Sequence, residues 1–357
     1  MPKFKNLCDK NASPRIVYIK RQGGSAMIAE NRLKNMQLSD PSRRRFRLLA
    51  VCLAAILITG CGTAGGPVGE TGGTEQSGEA MAGETGGTEQ SGEAVTDTVP
   101  AQKTDRDILQ VQIFKVGRAD AIILMCGGKT MVIDCGEEED GEEVLNYLKG
   151  RGQDRIDVLL ITHYDKDHVG GADTVVEGIT VDRVILPDYG GSSVEVQDFM
   201  DALDKARITP EKVTEDLNFT LGQAAVTVEP PSSYEIPENM VDYDNNFSLI
   251  TTLEFYGKRF VFTGDIEKKR IREWLSSGSP VKCDVLKVPH HGDYNTALED
   301  LFKVLQPSYA VICDSKKNPA DELTLELLHR YGADCLQTQY GDISILCSDM
   351  GIEIHQR

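Results

Sequence analysis

Thr162-His163-Tyr164-Asp165-Lys166-Asp167-His168-Val169-Gly170-Gly171 concentrates two imidazoles and two carboxylates within six residues, 163 to 168. The stretch follows Ile156 to Thr162, a continuous apolar run bounded by polar residues, which is the pattern of a strand buried on both faces. The four ionisable side chains therefore stand on the loop that leaves a buried strand. Core packing accounts for a lone histidine but not for four such groups together. On that loop the alternate side chains of 163 and 165 can face one ion while 167 and 168 face another. Imidazole and carboxylate are the ligand types that Zn²⁺ or Mn²⁺ takes in open, catalytic sites. Gly170-Gly171 is expected to let the backbone turn tightly into a following helix.

Working outward, Ile108 to Val116, Ala121 to Met125 and Thr130 to Ile133 read as consecutive strands, with Gly127-Gly128 as the turn between the last two. Glu142 to Lys149 reads as a short helix. Beyond the motif the signals alternate between strand (Val181 to Leu186, Ala224 to Glu229, Ser248 to Phe255, Arg259 to Phe262, Asp284 to Val288, Tyr309 to Ile312) and helix (Val194 to Ala206, Lys268 to Ser277, Glu322 to Tyr331). Two strands, Asp342 to Leu346 and Ile352 to His355, close the chain. Mixed strands with interspersed helices over about 250 residues predict an α/β domain of two sheets covered by helices on their outer faces. With no internal linker, 105–357 reads as one domain.

Four further motifs follow in order. Ile133-Asp134-Cys135-Gly136 places an aspartate at a strand end, and Asn245-Asn246-Phe247-Ser248 precedes a strand. Phe262-Thr263-Gly264-Asp265-Ile266-Glu267 ends another, and Lys287-Val288-Pro289-His290-His291-Gly292 carries a histidine pair. Together with 162–171 and the opening stretch Gln110 to Asp120, these resemble the metallo-β-lactamase superfamily. The match is to its variant with Asp at the third motif position, as in the hydrolase domain of ComEC-type DNA-uptake proteins. The resemblance runs from roughly 108 to 357 and implies a four-layer αββα sandwich with a two-metal site holding Zn or Mn. It implies that His163, Asp165 and one histidine of the 290–291 pair hold the first ion. His290 is the assignment taken, although the sequence does not rank it against His291. Asp167, His168 and Asp265 hold or share the second, with Asp265 bridging. Asp134 is expected to position the ligand loop by hydrogen bonds. Asp167, His290 and His291 are expected to carry catalysis, the non-ligand histidine as substrate contact or general acid. Such an ion pair polarises an ester or phosphoryl oxygen and lowers the pKa of bound water towards neutrality. His329 and His355 read as bystanders.

Departures from the family pattern concern the substrate side. Where the opening loop usually reads Asp-Val-Gly-Gln-Gly-Asp, this chain has Lys115-Val116-Gly117-Arg118-Ala119-Asp120; where Ser commonly follows His-His-Gly, it has Asp293. No histidine follows Asn318-Pro319 at the place expected. Lys115 and Arg118, with Asn246, are expected to contact substrate, the two cations recognising an anionic group that Asp293 would repel.

The first 60 residues read as an address. Arg43-Arg44-Arg45-Phe46-Arg47 precedes the apolar stretch Leu48 to Ile58, which ends in Ile58-Thr59-Gly60-Cys61. A basic region, an apolar core too short to span a bilayer and a small-residue cleavage site describe a secretory signal. The ending resembles a bacterial lipobox, which implies a lipid anchor on Cys61 and an extracytoplasmic location at the cell membrane. Met27 or Met36 is a candidate start. Residues 61–104 contain a repeated segment, Gly69 to Ala80 recurring as Gly83 to Ala94; this Gly/Ser/Thr/Glu tract has no apolar periodicity and reads as a tether. Residues 61–357 hold 26 basic against 53 acidic residues, a balance of −27 that disfavours tight, non-specific nucleic-acid binding. The six cysteines from Cys126 onward sit in or beside apolar runs and read as buried free thiols.

Taken together, these readings predict a membrane-anchored, metal-dependent hydrolase of phosphodiester or other ester bonds. Its substrate is a small molecule or polymer; nucleic acid is not favoured by charge, and protein partners are not indicated. A β-lactam-hydrolysing enzyme is disfavoured by Asp165 and the His290-His291 motif. The alternative of another class is a non-catalytic lipoprotein that binds metal or a partner on the same scaffold.

Overall fold

The computed structural model describes residues 108–235 and 243–357. The signal, Cys61 and the repeat tract lie outside them. Three antiparallel strands open the fold: β1 (Leu109–Ile113), β2 (Ala121–Cys126) and β3 (Lys129–Cys135). Then come α1 (Gly141–Gly150), β4 (Arg155–Ile156), β5 (Val158–Leu160), α2 (Lys166–Val169), α3 (Ala172–Gly178), β6 (Thr180–Val181), β7 (Val184–Pro187), α4 (Val194–Ala206) and β8 (Glu211–Val213). The second half runs β9 (Leu217–Leu221), β10 (Ala224–Glu229), β11 (Ile250–Phe255), β12 (Lys258–Phe262), α5 (Lys268–Ser277), β13 (Val285–Lys287), α6 (Leu298–Leu305), β14 (Tyr309–Ile312), α7 (Glu322–Arg330) and β15 (Asp334–Gln337). β16 (Ile343–Ser348) and β17 (Gly351–Gln356) then return to the first half.

Among the described residues one sheet has the order β17-β16-β1-β2-β3-β5-β7-β8 and the other β15-β14-β13-β12-β11-β10-β9. Their inner faces share one apolar layer, in which Val111, Leu124, Ile133 and Leu160 meet Val226, Leu253, Phe262 and Val311. The outer face of the first sheet packs against helices through Val144, Leu148, Val175, Phe199 and Leu203. The second does so through Ile271, Trp274, Leu301, Phe302 and Leu328. Three apolar layers between four layers of structure make the αββα sandwich.

Several expected elements keep their limits, including α4, whose Ser193 Oγ accepts from Val196 N–H as an N-cap. The run expected as one strand from Ile156 to Thr162 is divided. Asp157 turns out of line to accept from Lys129 Nζ and Thr130 N–H, and the strand stops at Leu160. The segment beyond is thereby freed for the motif loop. Sequence reading also passed over α6, although Leu298, Leu301, Phe302 and Leu305 stand at helical spacing and are fully buried.

β3, β5 and β7 run parallel in one sheet, and β12, β13 and β14 run parallel in the other. The loops at the carboxyl ends of these strands carry residues 134, 161–168, 263–267, 287–293 and 313 to one edge of the sandwich. Ligands of α/β sheets characteristically bind at such an edge.

Candidate metal centre

Asp134 sits at the end of β3 with φ 57°, a left-handed conformation that a short polar side chain tolerates better than most. It directs a fully buried carboxylate beneath the motif loop. Asp134 Oδ1 accepts from Thr162 N–H at 2.7 Å; Oδ2 accepts from Thr162 Oγ1 at 2.8 Å and from His168 Nδ1 at 2.8 Å. Because the threonine spends its one proton on Asp134, His163 Nδ1, 3.0 Å away, must donate to Thr162 Oγ1. His291 Nδ1 donates to the Cys313 carbonyl at 2.8 Å. All three rings thus carry their proton on Nδ1, and each Nε2 presents a lone pair.

Those Nε2 atoms converge. His168 Nε2 lies 3.3 Å from Asp265 Oδ2, and His291 Nε2 lies 3.0 Å from the same oxygen and 3.3 Å from Asp167 Oδ2. His163 Nε2 lies 3.5 Å from Asp165 Oδ2. The three Nε2 atoms are buried and make no aligned hydrogen bond. Four ligands around an ion at 2.0–2.1 Å stand about 3.3 Å apart in a tetrahedron. The three distances from His168 to Asp265, from His291 to Asp265 and from His291 to Asp167 match that spacing, so the residues fit a divalent ion. Without one, lone pairs would meet carboxylate oxygens, and protons fill the gap. Burial opposes charge on His168, but Asp265, Asp134 and Asp120 outweigh it and raise the ring well above its ordinary value. Burial likewise opposes charge on His291, yet Asp265 and Asp167 push it up to about 9. The Asp265 carboxylate, despite burial, is held well below the usual range by His291, Lys287 and His168.

His290, assigned as a ligand from sequence, is not brought to the cluster. Its ring is 25% exposed, and its Nδ1 lies 3.4 Å from Glu267 Oε1. The reason is backbone: His290 and His291 both adopt positive φ, 47° and 52°, so the turn swings one ring inward and leaves the other at the rim. Periodicity could not rank two adjacent identical residues in a turn.

Two residues of the cluster were not assigned from sequence. Asp120, His168, Asp265 and His291 offer donor atoms within 4.8 Å of one another. Asp120, however, approaches the imidazoles from the Nδ1 side, 3.7 Å from His291 and 3.9 Å from His168, and is ion-paired to Lys287. It therefore stands behind the rings. Lys287 is fully buried, with Nζ 3.0 Å from Asp265 Oδ1 and 3.1 Å from the Gly264 carbonyl. Its ammonium occupies Asp265 Oδ1, leaving Oδ2 to the ligand side. The available signal was Val285-Leu286-Lys287-Val288, a charged residue in a run otherwise apolar, a pattern that buried lysines show only when paired.

Of the expected substrate contacts, Asn246 uses Oδ1 to accept from Arg270 N–H in the first turn of α5, which ties it to the helix. Its buried Nδ2 has no partner. Lys115 is exposed and holds Asp342 through its backbone N–H. Arg118 forms an ion pair with Asp293 across the mouth of the cluster. No helix among the described residues is long and apolar enough to cross a membrane. The six described cysteines are free thiols.

ComE operon protein 3 of Bacillus subtilis (strain 168) is 30% identical over 202 residues, covering 56% of this chain and 25% of that protein. Recombination protein 2 of Haemophilus influenzae is 27% identical over 231 residues, covering 62% and 26%. The chain thus spans about a quarter of the length of these curated relatives. Among solved structures, the metallo-beta-lactamase fold protein YhfI from Bacillus subtilis aligns with TM-score 0.45 at 12% identity, over 65% of this chain and 96% of that one. The family described as the metallo-beta-lactamase superfamily matches residues 117–313, from the opening loop to the cysteine whose carbonyl holds His291. A match over more than half the chain, on the segment that builds the cluster, makes this chain a member of the metallo-beta-lactamase superfamily.

Proposed function

We propose that this chain is a metal-dependent hydrolase of phosphodiester or other ester bonds, working with two divalent ions, Zn or Mn, at the cluster. The carrying observation is the set of three buried imidazoles with Nδ1 committed to donation and Nε2 left without a hydrogen-bond partner beside Asp167 and Asp265. Asp167, His168, Asp265 and His291 would hold one ion; His163 and Asp165 would contribute to the other. Divalent ions there supply Lewis-acid polarisation and a lowered pKa for water. Because Lys287 occupies Asp265 Oδ1, Oδ2 is the Asp265 oxygen that would be left to hold metal. Asp134 keeps the imidazoles of His163 and His168 oriented, and such supporting contacts are worth about 10–100-fold in metal affinity. His290, at the rim beside Glu267, is the group we assign to protonate the leaving oxygen.

Lipid anchoring through Cys61 at the outer face of a membrane belongs to the same reading. It rests on Arg43 to Cys61 alone.

Elemental analysis of the purified protein tests the centre. About two equivalents of Zn or Mn, falling to one or fewer in an Asp167→Ala, His168→Ala double variant, is the expected result. A protein that holds no metal and takes up none on addition would sink the reading.

A further inference from the structure

The two departures from the family pattern on the substrate side, Arg118 and Asp293, meet in the structure. They stand 175 positions apart, one on the loop after β1 and the other directly after the His290-His291-Gly292 turn, and they pair through Arg118 Nη2 and Asp293 Oδ2. The first loop is tied to the motif loop by a backbone bond, and the second is fixed by the turn that carries His291. Asp120 N–H donates to the Asp167 carbonyl, and Asp293 N–H donates to the His290 carbonyl.

The pair lies on the open side of the site. The side chains of Arg118 and Asp293 are 26% and 39% exposed, beside Asp167 at 24% and His290 at 25%, whereas His163, His168 and Asp265 are closed off behind them. Burial opposes charge on Arg118, but Asp293, Asp265 and Asp167 outweigh it, so the guanidinium stays protonated and within electrostatic reach of two ligand-side carboxylates.

We propose that Arg118 is the anion-recognition residue of the metal centre and that Asp293 is its resting counter-ion, which gives way when a phosphoryl group docks at the mouth. The inference rests on the proposed centre and adds its substrate class: an ester with anionic phosphoryl oxygens. Three arguments support it. A solvent-screened ion pair at the surface contributes little, so exchanging one anionic partner for another meets little resistance. Guanidinium presents donors in a planar fork that matches phosphoryl oxygens better than a lone contact to one carboxylate oxygen does. Finally, the five carboxylates of Asp120, Asp134, Asp165, Asp167 and Asp265 outnumber the Lys287 ammonium and the protonated rings of His168 and His291, so the metal-free cluster stays net negative, a field that repels anions until divalent ions reverse it. Docking of the phosphoryl group therefore follows metal loading. Asp293, which from sequence alone was expected to repel the substrate directly, acts by occupying Arg118.

The test is a double-mutant cycle read by calorimetric titration of inorganic phosphate into the metal-loaded full-length protein, with metal content measured first for every variant. Asp293→Ser is expected to tighten phosphate about tenfold, and Arg118→Gln to weaken it about tenfold, the scale of one hydrogen bond to a charged group. Asp293→Ser made in the Arg118→Gln background is expected to change affinity by less than about twofold. Tightening by Asp293→Ser that persists without Arg118 would overturn the proposal, because Asp293 would then act by repulsion alone. So would an Asp293→Ser variant that binds phosphate no better than the parent, or no detectable phosphate binding by either. If metal content is zero in the parent, the proposed centre fails and this inference falls with it. Full metal content with phosphate affinity indifferent to Arg118 removes this inference and leaves the centre standing.

Discussion

Asp134 shows how much of the site is set by one residue that no ion would touch. Its two oxygens hold Thr162 and His168 directly and His163 through the threonine hydroxyl, so one carboxylate selects the tautomer of two rings. The motif around 163–168 was legible because four ligand-type side chains cannot share a loop by chance packing. Lys287 and the choice of His291 over His290 were not, since the first is paired by residues remote in sequence and the second is decided by two positive φ angles. The raised pKa of His291 carries a consequence for the metal-free protein. A group whose folded pKa rises to about 9 from an ordinary 6.5 stabilises the fold fully below pH 6.5 and loses that contribution as pH climbs to about 9. On the order of 2–4 kcal/mol is involved. Thermal unfolding in the presence of a chelator is therefore expected to shift several degrees lower between pH 6.5 and 9. With Zn or Mn bound in place of the proton, this decline should vanish; equal pH dependence with and without metal would contradict the assignment of His291 as a ligand.

The elements that carry the site are short, and contacts with neighbouring loops hold them in place. Gly170 and Gly171 were expected to serve a tight turn, yet both have ordinary negative φ; Gly170 is −53° and Gly171 −86°. They are needed because the chain passes so close to 135–141 that no side chain fits. A Cβ at Gly171 would stand 2.5 Å from Gly141 N and 2.6 Å from the Cys135 carbonyl oxygen. Gly171→Ala should therefore cost about 1–3 kcal/mol in denaturant unfolding, the scale of overpacking a close contact, and should loosen metal binding because α2 carries Asp167 and His168. Unchanged stability and metal affinity would mean that the two loops have room to separate. The local signals were sound wherever an element buries one regular stripe, as α4 and α5 do. They failed at β8, β9 and β15, which are short and only partly buried, so that their pattern is fixed by neighbours in the sheet.

At the scale of the molecule, the last two strands close the first sheet. β16 pairs antiparallel with β1 and buries Ile343, Ile345 and Cys347 completely, while β17 covers its outer edge. Burying three such side chains contributes roughly 5–9 kcal/mol, comparable with the 5–15 kcal/mol that holds a whole domain together. Deleting residues 342–357 should therefore yield an unfolded or aggregating protein with β1 as an open edge. A cooperative thermal transition in the shortened chain would show that β16 and β17 are dispensable. The sequence by itself determined an α/β domain of two sheets and a loop of clustered ligand-type residues, because apolar periodicity and close spacing are local properties of the chain; the family and its αββα class were legible through the resemblance of its motifs. It also determined that Arg118 and Asp293 depart from the family pattern. Only the tertiary structure decided that those two meet across the mouth, that His291 rather than His290 turns inward, and that Lys287 and Asp120 stand behind the rings. Each of these is a contact between loops from different strands, and its geometry follows from the register of two packed sheets, which no local pattern encodes.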